Sequence, residues 1–154
     1  MTLSYALALG LHVLAATLWV GGMAVMHFAV RPAAVQWLEP PQRLPFMAAV
    51  LSRFLAAVAA AIAVLLLSGA SMVMLAGGLS KLHWHVHAML AIGLVMTALF
   101  LHLRFAPYPR LDRAVAAGEW AVAASNLNAI RRLVGVNLAL GVLVIAIATV
   151  GRVL

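Results

Sequence analysis

The chain has no cysteine, and only three of its 154 residues are acidic. Without thiols there are no disulfides, no thiolate zinc or copper sites and no covalently attached c-type haem. Any metal must therefore rest on histidine, methionine or oxygen ligands. The three acids, Glu39, Asp112 and Glu119, all fall in or beside connecting segments. General acid–base chemistry on a carboxylate has no place to sit, so the chain is not read as a hydrolase. Charged residues make up 8% of the sequence against 67% hydrophobic ones, a balance that an ordinary soluble domain does not carry.

What is abundant is uninterrupted apolar length. Runs free of charge extend over Met1 to Val30, Phe54 to Ser80, Leu82 to Leu103 and Leu133 to Gly151, each near or above the roughly 20 residues that cross a hydrocarbon layer. The reading is an all-α integral membrane protein, one domain over residues 1–154, with helices near 3–30, 47–76, 83–105 and 128–152. These form an up-down-up-down four-helix bundle built from two tandem hairpins. The first run has no Lys or Arg before Arg31 and is too long for a cleaved signal, so it is expected to stay in the mature fold.

The net charge of +7 is sorted by membrane side and does not form a nucleic-acid patch. Arg31, Arg43, Arg53, Arg104, Arg110, Arg113, Arg131 and Arg132 lie at the first and third connections, and only Lys81 and Arg152 lie opposite. The positive-inside rule then makes the two longer connections cytoplasmic and sends both termini outward, which in a Gram-negative cell means the periplasm. The run from Glu39 to Pro45 reads as a stiff proline-rich connector before a helix starting at Phe46 to Arg53. Gly77 and Gly78 mark a tight outer turn that makes the second and third helices neighbours. Leu111 to Ala117 reads as a short surface helix stopped by Gly118. Trp37 and Trp120 read as inner interfacial anchors and Trp84 as an outer one. Ser68, Ser71, Thr97 and Asn137 read as interhelical hydrogen-bonding groups.

A repeat carries the functional signal. His12 and His27 are fifteen positions apart, as are His87 and His102, and each second histidine is followed five residues later by a proline, Pro32 or Pro107. Fifteen helical residues rise about 22 Å and leave a rotation of about 60°, so both histidines of a helix can share one interior face. Two hairpins of equal orientation imply a pseudo-twofold axis along the membrane normal. His12 would then oppose His87 at the outer level, and His27 would oppose His102 at the inner one. With helices about 9 Å apart, the diagonal leaves a gap suited to iron in a porphyrin. Ala15, Ala16, Gly22, Ala91 and Ala98 would give room for the disc. The leading expectation is one or two haem b groups with these four histidines as axial ligands, Trp19 stacked or packed beside them, and Arg53, Arg131 and Arg132 pairing the propionates. Such a protein would move electrons through the membrane or to quinone, as a membrane haem oxidoreductase, with quinone or a periplasmic redox protein as partner.

A competing cluster sits at the outer turn, where Met72 and Met74 face His83, His85 and His87. Thioether and imidazole suit Cu(I). Met23 and Met26 add soft donors near the His12 face, although methionine is also an ordinary filler of apolar cores. The alternative expectation is copper binding or uptake, with a periplasmic copper protein as partner. A third reading makes the chain a homo-oligomer or an accessory subunit of a larger membrane complex.

The stretches LHVLAATLWVGG from Leu11 to Gly22, MHFAVRP from Met26 to Pro32, WHVHAML from Trp84 to Leu90, RFAPY from Arg104 and RRLVGVNLALG from Arg131 resemble the CopD-like family of bacterial inner-membrane proteins. The resemblance covers nearly the whole chain and implies copper handling, as uptake or resistance, on the four-helix unit of longer family members. The His12 to Trp19 spacing and His87 to Leu90 are more distantly similar to the HemJ family of membrane haem proteins. That family carries a lysine in place of Met89 and an Asn-Glu-Pro motif where this chain has Asn137-Leu-Ala139. The second resemblance implies a shared haem scaffold without the protoporphyrinogen oxidation.

Overall fold

A computed structural model describes residues 3–151. Six α-helices follow one another: α1 (Leu3–Val25), α2 (Arg31–Trp37), α3 (Pro40–Leu75), α4 (Trp84–Phe105), α5 (Pro107–Ala116) and α6 (Trp120–Val150). A π-helical turn, Met26–Val30, joins α1 to α2 without a break, and a 3-10 turn, Leu79–Lys81, precedes α4. Four spans are long and apolar enough to cross a membrane: Leu3–Trp37, Pro40–Leu75, Trp84–Ala116 and Trp120–Val150. The protein is a multi-pass membrane protein with the expected all-α four-helix architecture.

Each spanning helix is apolar all round, yet buries only one stripe, the pattern of a helix that faces lipid on its other sides. In α1 the buried stripe is Ala15, Trp19 and Met23, and Met26 extends it, while Leu7, Leu11, Leu14, Leu18 and Val25 are exposed. In α3 the stripe runs Leu44, Met47, Leu51, Leu55, Val58 and Ile62 at steps of three and four. α1 packs on α3 and α4 packs on α6. His12 meets Ser68 in the first pair, and Asn137 meets Met96 in the second, both antiparallel. α6 also runs antiparallel to α1, with Gly141 beside Val20 and Gly135 beside His27. α1 and α4 touch across the diagonal, where Trp19 lies edge-on to Phe100 at 6.5 Å between ring centroids.

Three expectations change. The proline-rich run is part of α3, which begins at Pro40. Prolines in a first turn lack only N–H groups that would have been unbonded there anyway, so Pro40 and Pro41 start the helix. Likewise α6 begins at Trp120, not near residue 128, and the third connection shrinks to a turn at Gly118, where φ is +70°. Finally, α3 and α4 barely touch despite the short turn at Gly77 and Gly78, whose φ values of 89° and 100° reverse the chain. That turn carries α4 away from α3, and α6 fills the place between.

The π turn has a local cause. Pro32 cannot donate to the carbonyl four residues back, Phe28, and its ring crowds that group. The helix widens over Met26–Val30 and continues as α2. In the second hairpin the equivalent Pro107 ends α4 instead and opens α5. At 36 residues, α3 is about 54 Å long, well beyond the roughly 30 Å hydrocarbon layer. Its first turns, α2, α5 and the start of α6 therefore build a helical cap at the arginine-rich end. Tyr108, Leu111 and Ala114 of α5 are buried there, and the Arg104 guanidinium lies 5.2 Å from the centroid of the Tyr108 ring. Trp37, Trp84 and Trp120 are exposed near helix ends, as interfacial anchors are. Arg152 lies outside the described residues.

Gly141 is the tightest crossing: a Cβ there would come within 2.8 Å of Val20 Cγ2 and 3.3 Å of Met96 Cε. Gly141→Leu is expected to overpack the α1–α4–α6 junction and cost about 1–3 kcal/mol, read as a lowered unfolding midpoint in detergent. Leucine at exposed Gly10, where a Cβ meets nothing within 4 Å, is expected to leave it unchanged.

Candidate functional site

The six histidines take separate surroundings at the two ends of the bundle. His12 is half-buried and turned towards α3, with its Nδ1 3.0 Å from Ser68 Oγ and its Cε1 against Gly69. The Ser68 hydroxyl lies 2.6 Å from its own helix's Val64 carbonyl and 3.2 Å from that of Leu65. A carbonyl can only accept, so the single hydroxyl proton goes to the helix and His12 Nδ1–H donates to Oγ. This leaves Nε2 with its lone pair, the tautomer of a ligand or proton acceptor.

His87 is exposed, and its Nδ1 lies 3.2 Å from the His83 carbonyl of its own helix. It must donate there too, so its Nε2 also carries a lone pair. His12 and His87 are thus each held at Nδ1, the first by α3 and the second by the turn before α4. The inward position in the second hairpin belongs to His85, packed by its Cβ against Gly151 of α6. His85 Nδ1 is buried with no hydrogen-bond partner. Its ring stacks on that of His83 at 5.7 Å and 20°, and Trp84 closes its edge at 6.1 Å. Met72, at the end of α3, is half-buried, and Met74 is 73% exposed.

At the arginine-rich end, His27 sits on the π turn, half-buried, edge-on to Phe28 at 4.9 Å, with Cε1 facing Gly135. His102 is exposed. The room expected for a porphyrin is otherwise used: Gly22 is covered by the Phe54 ring, Ala91 and Ala98 face outward, and Trp19 is buried against Phe100. Two small adjoining cavities of about 30 and 90 Å³ lie at this end, and neither is bordered by His12, His87 or His102. The first is walled by His27, Arg31 and Arg131 over an apolar floor that includes Leu51, Phe54 and Val134. The second is walled by Arg31, Arg43 and Asn128. Arg53 and Arg132 are exposed and line neither. The arginines that border these cavities are Arg31, Arg43 and Arg131, of which Arg131 alone belongs to the expected set of Arg53, Arg131 and Arg132. The sequence did offer a signal for Arg31, which stands beside Pro32 where the second repeat has Ala106 beside Pro107.

Of the polar groups expected to link helices, Ser68 and Asn137 do so, the latter donating from Nδ2 to the Met96 carbonyl at 3.3 Å. Ser71 and Thr97 bond to carbonyls of their own helices instead. Among the described residues no three His, Asp or Glu side chains gather closely enough to hold a metal by themselves. A metal at either end would need methionine, backbone or a donor from outside the chain.

These features define a four-span membrane protein with four imidazoles at one end and, at the other, the guanidiniums with His27 and His102. The family model for copper resistance protein D matches residues 48–150, about two thirds of the chain, and the protein belongs to that family. The match takes in α4 with His83, His85, His87 and His102, and stops short of His12 and His27. No curated protein and no solved structure matches the chain.

The His12–Ser68 link is expected to be worth roughly 0.6 to 1.7 kcal/mol, the range of interhelical hydrogen bonds in membranes. A double-mutant cycle of His12→Ala and Ser68→Ala, read by unfolding in detergent, measures it. A coupling near zero would show that the tautomer argument rests on a contact without energy.

Proposed function

We propose that the protein handles copper at the membrane, taking the ion as its substrate at the turn between α3 and α4. The observation that carries this reading is the desolvated, unpartnered Nδ1 of His85 stacked beside His83 in a member of a copper resistance family. A buried polar nitrogen without a partner costs about 1–3 kcal/mol, and a metal ion is one partner that would offset it. Imidazole from His83 and His85, with thioether from Met72 or Met74, is a donor set suited to Cu(I). His87, exposed with a free Nε2, would serve as the arrival ligand. The arginine distribution supports an orientation with this turn outside the cytoplasmic membrane, so the ion would arrive from the periplasm or from a copper protein there. Buried Met23 and Met26 share the α1 stripe leading from the His12 level towards the other end, which supports passage inward along thioethers.

Haem b held by His12, His87, His27 and His102 is the competing reading. It draws support from the repeated histidine spacing and from the Nε2 that His12 and His87 each keep free while Nδ1 is held.

Metal analysis and a reduced-minus-oxidised visible spectrum on the same detergent-purified sample separate the two. Copper without b-type bands is expected. His83→Ala and His85→Ala are each expected to weaken Cu(I) binding at least about tenfold, or 1.4 kcal/mol, in competition with a colorimetric chelator, whereas His102→Ala leaves it unchanged. Split b-type bands that vanish in His12→Ala, with no bound copper, would overturn the copper reading.

A further inference from the structure

We propose that the cavities at the arginine-rich end bind the phosphate of an anionic phospholipid, through Arg31, Arg43 and Arg131 converging from three helices, with one acyl chain running past Phe54. This site is independent of the copper reading and lies at the opposite end of the bundle.

Three observations carry it. First, Arg31 of α2, Arg43 of α3 and Arg131 of α6 border two adjoining cavities that share Arg31, Met47 and Leu127 in their walls. Arg31 lies close enough to the other two to feel their positive charge. Second, among the described residues none of the three has a carboxylate within ion-pair distance, and the whole chain holds only three acids. Like charges brought together without a counter-ion repel, so an anion supplied from outside lowers the energy of the arrangement. Arginine's planar fork matches two phosphate oxygens at once. Third, each cavity sets guanidinium beside apolar side chains. One has Arg31, Arg43 and Asn128 in its wall together with Val35 and Leu44. The other has Arg31 and Arg131 together with Met26, Phe54 and Ile130. A charged headgroup that carries a hydrocarbon tail fits that mixed lining, whereas free phosphate would leave the apolar part unused.

The position agrees with the ligand. Basic pockets between spanning helices near the positively charged face take anionic headgroups. The site is also asymmetric between the two repeats, since Arg31 follows the π turn where the second repeat has Ala106.

The test uses the full chain in detergent and native mass spectrometry, with phosphatidylglycerol and phosphatidylcholine of identical acyl chains as probes. Phosphatidylglycerol is expected to be retained at least about tenfold better. That preference is expected to disappear in Arg31→Gln/Arg131→Gln and to survive in Arg53→Gln/Arg132→Gln, which removes the same charge from exposed positions outside the cavities. Arg131→Lys keeps the charge and loses the fork, and is expected to weaken retention as well. If the first double variant fails to fold, as judged by its helical circular dichroism, Arg43→Gln at the mouth decides in its place. Equal retention of the two lipids would overturn the proposal. So would equal loss in both double variants, which would reduce the effect to diffuse surface charge. Retention of inorganic phosphate in place of the lipid would assign the site to free phosphate and overturn the lipid.

Discussion

A chain that crosses hydrocarbon has to satisfy its hydrogen-bonding groups from within, because no water is there to do so. The backbone meets this demand by being helical almost throughout. Most polar side chains meet it by returning to a carbonyl of their own helix: Thr17 to Val13, Ser71 to Leu67, Thr97 to Gly93 and Thr149 to Ile145. Two described links join helices instead, one in each hairpin. Ser68 receives His12 between α1 and α3, and Asn137 reaches Met96 between α4 and α6. Everything else that holds the bundle is the packing of small and large residues, as where Gly141 admits Val20 and Met96. In lipid that packing has no hydrophobic drive between helices to assist it.

The two hairpins share a sequence pattern and diverge in what they do with it. The fifteen-residue spacing is the same, but α1 begins at Leu3, nine residues before His12, while α4 begins at Trp84, three before His87. His12 is therefore well inside its helix and can be held by a neighbour. His87 is in a first turn, where it bonds back to His83 and faces outward. His85 takes the inward place two residues earlier. At the other end Pro32 is absorbed by a π turn and Pro107 is not. Two copies of one motif hold their histidines and prolines differently at both ends of the bundle.

Much of the fold was legible because its cause is compositional. Four apolar runs become four spans, and the glycine turn and the stop at Gly118 fall where sequence places them. Helix boundaries were less legible where proline was involved, since Pro40 reads as a breaker yet starts a helix when it occupies the first turn. The candidate site residues were legible as positions along helices and not as neighbours across the bundle. Spacing along a helix fixes which residues share a face, but not which neighbour that face meets, and α6 rather than α4 lies beside much of α1. Arg31 and Arg43 were visible only as members of a charge distribution until three helix ends brought them to one cavity.

The length of α3 has a mechanical consequence. Met47, in the wall of both cavities, and Ser68, which holds His12, belong to one continuous helix. Twenty-one residues separate them, about 32 Å along the axis. Pro45 lies outside that stretch, so no proline interrupts the backbone bonds within it. A stiff rod of this kind tilts or slides as a whole. Whatever shifts the foot of α3 at the arginine-rich face also moves the hydroxyl against which the His12 ring is set, at the far side of the bilayer.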